Sequence, residues 1–315
     1  MDTLAGQTIG DYTLTAYITE TYLSVIYESI DTKSVNCTKL AIKLLKHTNS
    51  REQVTEEINI NLNCKCFYTM PVMGIVENVP SDFLIAIVMP NAIGRDLFQM
   101  VLDYGQLSED IVSQIAYAGL KALQYLHNNF IIHRDIKPDN FFLMDDSITK
   151  LDIVLGDFGH ATHFNPGQKL TDFKIGTLIY NAPEIINNNP YDERVDIWSL
   201  GATLYFTLSG CYAFPDPRED NNPLSEQYTK RLITKGQYEM EFGLWEEISP
   251  EAKDFVSSML QVDPDNRPTI ADLLNHPFIR NHYVEYNKQR NRTEGKTLII
   301  DESFRQADEF LDEND

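Results

Sequence analysis

Long apolar runs are missing from this chain: none approaches the ~20 residues that a helical membrane span needs. The opening Met1-Asp2-Thr3 lacks the basic residues and apolar stretch of a secretory leader. Cysteine is scarce as well. Cys37, Cys64, Cys66 and Cys211 offer no disulfide framework, so a reducing compartment is expected, cytoplasmic or nuclear. Cys64-Lys65-Cys66 is too tight for a usual zinc pair and has no second pair, and reads as free thiols. Basic charge is in short supply: 26 Lys and Arg face 47 Asp and Glu, for a net charge of −21. That balance argues against nucleic acid or an anionic membrane as the main partner, while a basic protein is electrostatically compatible. Solubility accounts equally well for most of the excess acid.

What is present is ordinary for a globular chain: 43% apolar and 23% charged over 315 residues, room for two cores or one large domain with a tail. Tyr12–Ile18, Ser24–Glu28 and Leu40–Leu44 alternate in the manner of strands. Arg51 to Asn63 reads as a helix with Ile58 and Leu62 four apart on one face. Val72–Val76 and Phe83–Met89 read as two further strands around a Pro-containing turn. Ser108–Asn128 is amphipathic, with Ile111, Ile115, Ala118, Ala122 and Leu126 recurring at three and four residues and Glu109-Asp110 at its start. Val195–Phe206 is apolar nearly all round, as a buried helix should be.

One stretch carries chemistry densely. In His133-Arg134-Asp135-Ile136-Lys137-Pro138-Asp139-Asn140 a carboxylate, an ammonium and a carboxamide sit two and three residues apart. Pro138 keeps the segment from being an ordinary helix. Phosphoryl transfer needs such a set: a carboxylate for a hydroxyl, a cation for the moving charge and an oxygen ligand for a metal ion.

The stretch resembles H-R-D-x-K-x-x-N, the catalytic loop of the eukaryotic protein kinases, and its surroundings agree. Asp157-Phe158-Gly159 follows Asp135 by 22 residues and resembles the metal-binding D-F-G. Ala41-Ile42-Lys43 resembles the strand whose lysine holds the α- and β-phosphates. Glu57 resembles the helical glutamate paired with that lysine, with Glu56 the rival. In that register Asn61 takes a place that is usually apolar, which would open a water-filled back pocket. Gly176-Thr177-Leu178-Ile179-Tyr180-Asn181-Ala182-Pro183-Glu184 is similar to the peptide-docking segment, and Val195-Asp196-Ile197-Trp198-Ser199-Leu200-Gly201 to the helix whose aspartate binds the catalytic-loop backbone. Arg267 would be the buried partner of Glu184, and His276-Pro277-Phe278-Ile279 would close the domain. Met89 falls at the gatekeeper, and the backbone of Pro90 and Ala92 at the adenine hinge. Asp96 falls where a carboxylate meets ribose, or is simply a helix cap. Ile18, Ile26, Ala41 and Phe142 fall where the family lines its nucleotide site.

One departure stands out. The three glycine places of the phosphate loop fall on Thr19, Thr21 and Ser24. Glycine lets backbone N–H groups approach phosphate with no Cβ between, whereas β-branched Thr stiffens the hairpin. Glu20 would add a carboxylate near the triphosphate, so weaker or slower nucleotide binding is expected.

The resemblance covers about residues 9–280 and implies an α+β, two-lobed protein-kinase fold. A small antiparallel β-sheet lobe with one main helix (about 9–90) would sit on a larger, mainly helical lobe (about 93–280). It implies a serine/threonine protein kinase, nearest the calcium/calmodulin-type and checkpoint-type groups, using ATP and Mg²⁺ on protein substrates. Asp135 and Lys137 would be catalytic, Asn140 and Asp157 the metal ligands. A monomer is expected. Asp96 and Asp139 imply a modest preference for basic residues N-terminal to the target, although Phe206 stands where a further acid is often found. Arg134 would ordinarily meet a phosphate of the activation segment; Thr162 and Thr171 are offset from the usual position, and Asp172 could meet a basic group directly. The rival from another class is a pseudokinase, a binding module that keeps the fold. Residues 281–315 lose the helical pattern; from Glu294 eight acids stand against Lys296 and Arg305. They read as an acidic tail, solvated or holding a short docking helix around Phe304–Leu311.

Overall fold

The computed structural model describes residues 4–34, 39–48, 50–92, 95–145, 151–219 and 224–284. Cys37, Ile93, Gly94 and the acidic tail from residue 285 lie outside them.

The N-terminal half of the site hangs from one antiparallel sheet. Its strands are β1 (Thr8–Ile9), β2 (Tyr12–Glu20), β3 (Ser24–Asp31), β4 (Lys39–Lys46), β5 (Gly74–Val76) and β6 (Phe83–Pro90), in the order β1-β2-β3-β4-β6-β5. Alternation gives the sheet two apolar faces. Leu14, Val25, Tyr27, Leu40, Ile42, Leu44, Ala86 and Val88 form a cluster on the outer face. Leu45 and Ile87 turn the other way, toward Val54 of α1 (Arg51–Asn63). The ladder begins at Gly74, two residues later than the apolar run Val72–Val76 implies; Met73 N–H still reaches Val88 O at 2.8 Å.

Helix α1 has the predicted ends, capped by Ser50 and Gln53 in a reciprocal pair. Its buried face is a correction. Val54, Glu57, Ile60 and Asn61 point inward, Ile58 is half-buried, and Leu62 is 49% exposed. Two polar side chains occupy inward positions, so apolar spacing alone picks the wrong face.

The larger lobe is mainly helical: α2 (Leu97–Tyr104), α3 (Glu109–Asn128), α4 (Pro183–Ile186), α5 (Arg194–Ser209), α6 (Ser225–Lys235), α7 (Pro250–Met259) and α8 (Ile270–Leu274). Every residue from Val195 to Ser209 is buried, so α5 is the axis around which the lobe packs. Short strands β7 (Ile131–Ile132), β8 (Phe141–Leu143), β9 (Ile153–Leu155) and β10 (Thr162–His163) line its upper surface, paired β8 with β9 and β7 with β10. Glu184 and Arg267 meet as predicted, with two bonds of 2.7 Å between guanidinium and carboxylate. Phe278 and Ile279 close the core, as the sequence implies.

The candidate active site

The catalytic loop is held from below by one aspartate. Asp196 of α5 is fully buried and accepts from the backbone N–H groups of His133 and Arg134 (both 2.9 Å) and from His127 Nε2 (2.9 Å). That clamp fixes Arg134 at φ +67°, a conformation costly for a residue with a Cβ and maintained only where its surroundings insist on it. The His133 ring adds a second brace: Nδ1 accepts from Asp135 N–H (3.3 Å), which leaves Nε2–H to donate to Gly156 O (3.1 Å).

Above this base the predicted catalytic residues converge. Lys137 Nζ lies 3.0 Å from Asp135 Oδ2 and 3.1 Å from Thr177 Oγ1, and the Thr177 hydroxyl donates to Asp135 Oδ1 at 2.9 Å. Burial works against the Lys137 ammonium, yet Asp135 holds it above the usual lysine range. Asn140 Nδ2 donates to Asp135 O at 2.7 Å, which turns its Oδ1 the other way. Pro138–Asn140 is a single tight turn, as Pro138 requires.

Strand β4 delivers the lysine. Ile26 pairs with Lys43 and Ala41 with Met89, so the side chains of Ile26, Ala41, Lys43 and Met89 share one face of the sheet. Lys43 Nζ is 2.7 Å from Glu57 and 2.6 Å from Asp157. Burial favours the neutral amine, but the Asp157 and Glu57 carboxylates hold the ammonium well above the ordinary lysine range. The same pairing, chiefly with Lys43, offsets burial and keeps Asp157 well below the usual carboxylate range. Of the two glutamates, Glu57 is therefore the partner of Lys43. Asn61 does not need a water-filled pocket: its Nδ2 donates to Glu57 O one turn back, at 2.8 Å.

Pro90 ends β6 opposite Leu40, and Ala92 follows it. Phe142 of β8 bridges to Asp96 and packs against Gly156, where an added Cβ would lie 3.0 Å from its ring. Asp96 caps α2, accepting from Gln99 N–H at 2.7 Å, so one of its oxygens is already engaged. Burial, with Asp139 nearby, raises its carboxyl above the usual range. In the hairpin, the irregularity between Tyr17 and Thr19 sets Thr19 opposite Ile26 and Glu20 opposite Val25. Glu20 therefore lies on the outer face with Val25, where Lys46 Nζ binds it at 2.5 Å; it is not beside the triphosphate position. The Thr21 hydroxyl also turns inward on the loop, accepting from Leu23 N–H (3.2 Å) and Ser24 N–H (3.0 Å). Ile18 is half exposed at the edge of this hairpin.

Asp172 meets a basic group directly, as the sequence allows, but three sets of contacts carry no sequence signal. Arg134 Nε donates to His160 O (2.7 Å) and its Nη1 to Tyr191 OH (3.2 Å), while Asp172 stands 3.6 Å from Nη1. Phe206, in place of an acid, is sandwiched between the rings of Phe98 (5.6 Å) and Tyr212 (5.1 Å). Glu56 binds His163 across the cleft edge. None has a spacing that a motif records. Cys64 is a buried thiol donating to Thr69 (3.3 Å), pushed up to about 11 by burial, in keeping with a structural role.

Residues 21–279 match the family described as protein kinase domain. The chain belongs to the protein kinase family. Among similar proteins is ribosomal protein S6 kinase alpha-2 of Mus musculus, 33% identical over 250 residues, covering 79% of this chain and 33% of that protein. CaM kinase-like vesicle-associated protein of Xenopus laevis is 31% identical over 260 residues, covering 82% of this chain and 66% of its own length. The calcium/calmodulin-dependent protein kinase cmkA of Emericella nidulans is 36% identical over 197 residues, 62% of this chain and 45% of that protein. The match thus spans between a third and two thirds of these relatives. The relatives support a serine/threonine protein kinase in general.

Proposed function

We propose that this chain is a catalytically active, ATP-dependent serine/threonine kinase that phosphorylates protein substrates. The observation that carries the reading is Lys43 Nζ bridging Glu57 (2.7 Å) and Asp157 (2.6 Å). A lysine so placed is aimed at nucleotide phosphates and not at solvent.

On this reading Asp135 orients the substrate hydroxyl and takes its proton. Lys137 meets the charge that develops on the γ-phosphoryl group, and Lys43 positions the α- and β-phosphates. The donor set suits Mg²⁺: Asp157 offers a charged carboxylate, and the hydrogen bond made by Asn140 Nδ2 leaves Oδ1 as a hard oxygen donor. Mg²⁺ at these residues would neutralise phosphate charge. What the chain contributes is positioning and fixed charge in a partly dry site. The hinge lacks only an N–H at Pro90, and adenine needs the carbonyl there. The basic-residue preference rests on Asp96 and Asp139 alone, since Phe206 is buried beneath aromatic rings. We place the enzyme in the cytoplasm or nucleus and expect it to act as a monomer.

The pseudokinase reading draws on the hairpin, where the Thr21 hydroxyl is spent on its own turn and no glycine lies at the phosphate. The two readings separate in one experiment. Radiolabel from ATP, with Mg²⁺, is followed onto a generic basic protein for the full chain and for Asp135→Ala. Transfer by the wild type that Asp135→Ala abolishes supports the enzyme. A folded wild type that transfers nothing refutes it.

A further inference from the structure

Helix α1 places two glutamates side by side, and they do different things. Consecutive residues on a helix point about 100° apart. Glu57 faces inward to Lys43, and Glu56 faces the neighbouring edge, along which β10 runs. There Glu56 Oε1 accepts from His163 N–H (2.9 Å), from the His163 ring at Nδ1 (2.9 Å) and, at longer range, from the Thr162 hydroxyl (3.4 Å). A carboxylate only accepts, so Nδ1 carries the proton in this pair.

An exposed ion pair would mean little by itself. This one differs in what it joins. His163 lies 107 residues from Glu56 along the chain. It belongs to β10, which pairs Thr162 with Ile132 and His163 with Ile131 of β7. Strand β7 runs straight into His133 and the catalytic loop. Just beyond β10, Phe164 N–H donates to Phe130 O at 2.9 Å. The contact therefore links the helix that carries Glu57 to the segment that follows Gly159 and, through β7, to the catalytic loop. One of its bonds comes from backbone, so it does not depend on the ring. Burial pushes the Glu56 carboxyl up, but the bonds from His163 hold it below the usual range, so it is a charged acceptor at neutral pH.

We propose that Glu56 is a positioning residue: by binding His163 it fixes α1 against the start of the activation segment and so keeps Glu57 within reach of Lys43. The proposal rests on the kinase reading of Lys43. Its measurable consequence is tighter nucleotide binding as well as faster transfer.

The test uses the full chain and the variants Glu56→Ala, Glu56→Gln, His163→Ala and, as a control on the exposed face of the same helix, Asn59→Ala. Melting temperature, affinity for a fluorescent ATP analogue with Mg²⁺, and kcat and KM for ATP are measured. Glu56→Ala is expected to lower kcat/KM for ATP about tenfold, with weaker analogue binding and a melting temperature close to wild type. Glu56→Gln restores most of it, because the amide oxygen still accepts from the His163 backbone N–H. His163→Ala falls between, and Asn59→Ala matches wild type. Wild-type affinity and kcat/KM in Glu56→Ala would overturn the proposal. So would a loss that tracks the melting temperature and that Gln does not rescue. If the wild type binds the analogue but transfers no phosphate, the kinase reading falls, and the affinity series alone then decides the role of Glu56. A wild type that binds no nucleotide overturns both.

Discussion

Lys46 Nζ holds the Glu20 carboxylate at 2.5 Å on the outer face of the sheet, the face opposite Lys43. A glutamate in the hairpin over the nucleotide is thereby kept from repelling it. Glu20→Gln is expected to leave the KM for ATP within about twofold of wild type, as an exposed pair of this kind contributes little. A marked tightening of ATP binding in that variant would show that the carboxylate faces the phosphates after all.

Arg134 is already engaged, by His160 O, Tyr191 OH and Asp172. Tyr191 OH in turn donates to Asp172 O at 2.8 Å. The group that ordinarily waits for a phosphate thus has partners within the unmodified chain. Phosphatase treatment is expected to change the transfer rate by less than about threefold, and Thr162→Ala and Thr171→Ala likewise. A large loss on treatment would show that a phosphate, and not Asp172, completes the site.

Burial holds the His133 imidazole below the ordinary histidine range, against the pull of Asp196 and Asp135. The folded chain therefore prefers the neutral ring, which accepts at Nδ1 and donates at Nε2. A depressed histidine gives stability that is complete above the unfolded value of about 6.5 and is lost as pH falls below it. Thermal unfolding between pH 7.5 and 5.5 is expected to show this loss in the wild type and a shallower dependence in His133→Phe. Equal slopes for the two proteins would rule out His133 as the titrating group.

Arg267 and Glu184 are both buried, with side-chain exposures of 0% and 8%. The guanidinium also donates to Gln261 O (2.9 Å) and Arg194 O (2.9 Å) and lies over the Trp198 ring. Arg267→Met leaves a buried, unpaired carboxylate and is expected to cost roughly 3–5 kcal/mol in urea unfolding. Adding Glu184→Gln should recover part of that. A cost under about 1 kcal/mol for the single variant would contradict the pairing.

The residues most legible from sequence were those whose spacing is fixed by chemistry. Asp135, Lys137 and Asn140 must share one loop, and Asp157 must return to it, so a short pattern records their geometry. The buried helix α5 was equally plain, because an element apolar all round has only one place to go. Legibility failed where side chains choose between faces. Glu57 and Asn61 are buried polar residues satisfied by Lys43 and by a helix carbonyl, and they disguise the inward face of α1. Glu20 is expected near the phosphates from its place in the loop, whereas the register sets it opposite Val25. Contacts such as Glu56 with His163 depend on tertiary packing and leave no local periodicity.

Gly176 sits at φ +66°, and a Cβ there would come within 2.5 Å of Arg134 O and 2.7 Å of Asn181 Oδ1. The segment around Gly176 is thus pressed against the Arg134 carbonyl and the Asn181 side chain, with no room for a side chain of its own. Across the cleft α1 is held by the tips of its own side chains, Glu57 on Lys43 and Glu56 on the ring and backbone N–H of His163. Any control of this chain that works by moving parts has its leverage at those moorings, since the joint at Gly176 is the tighter one.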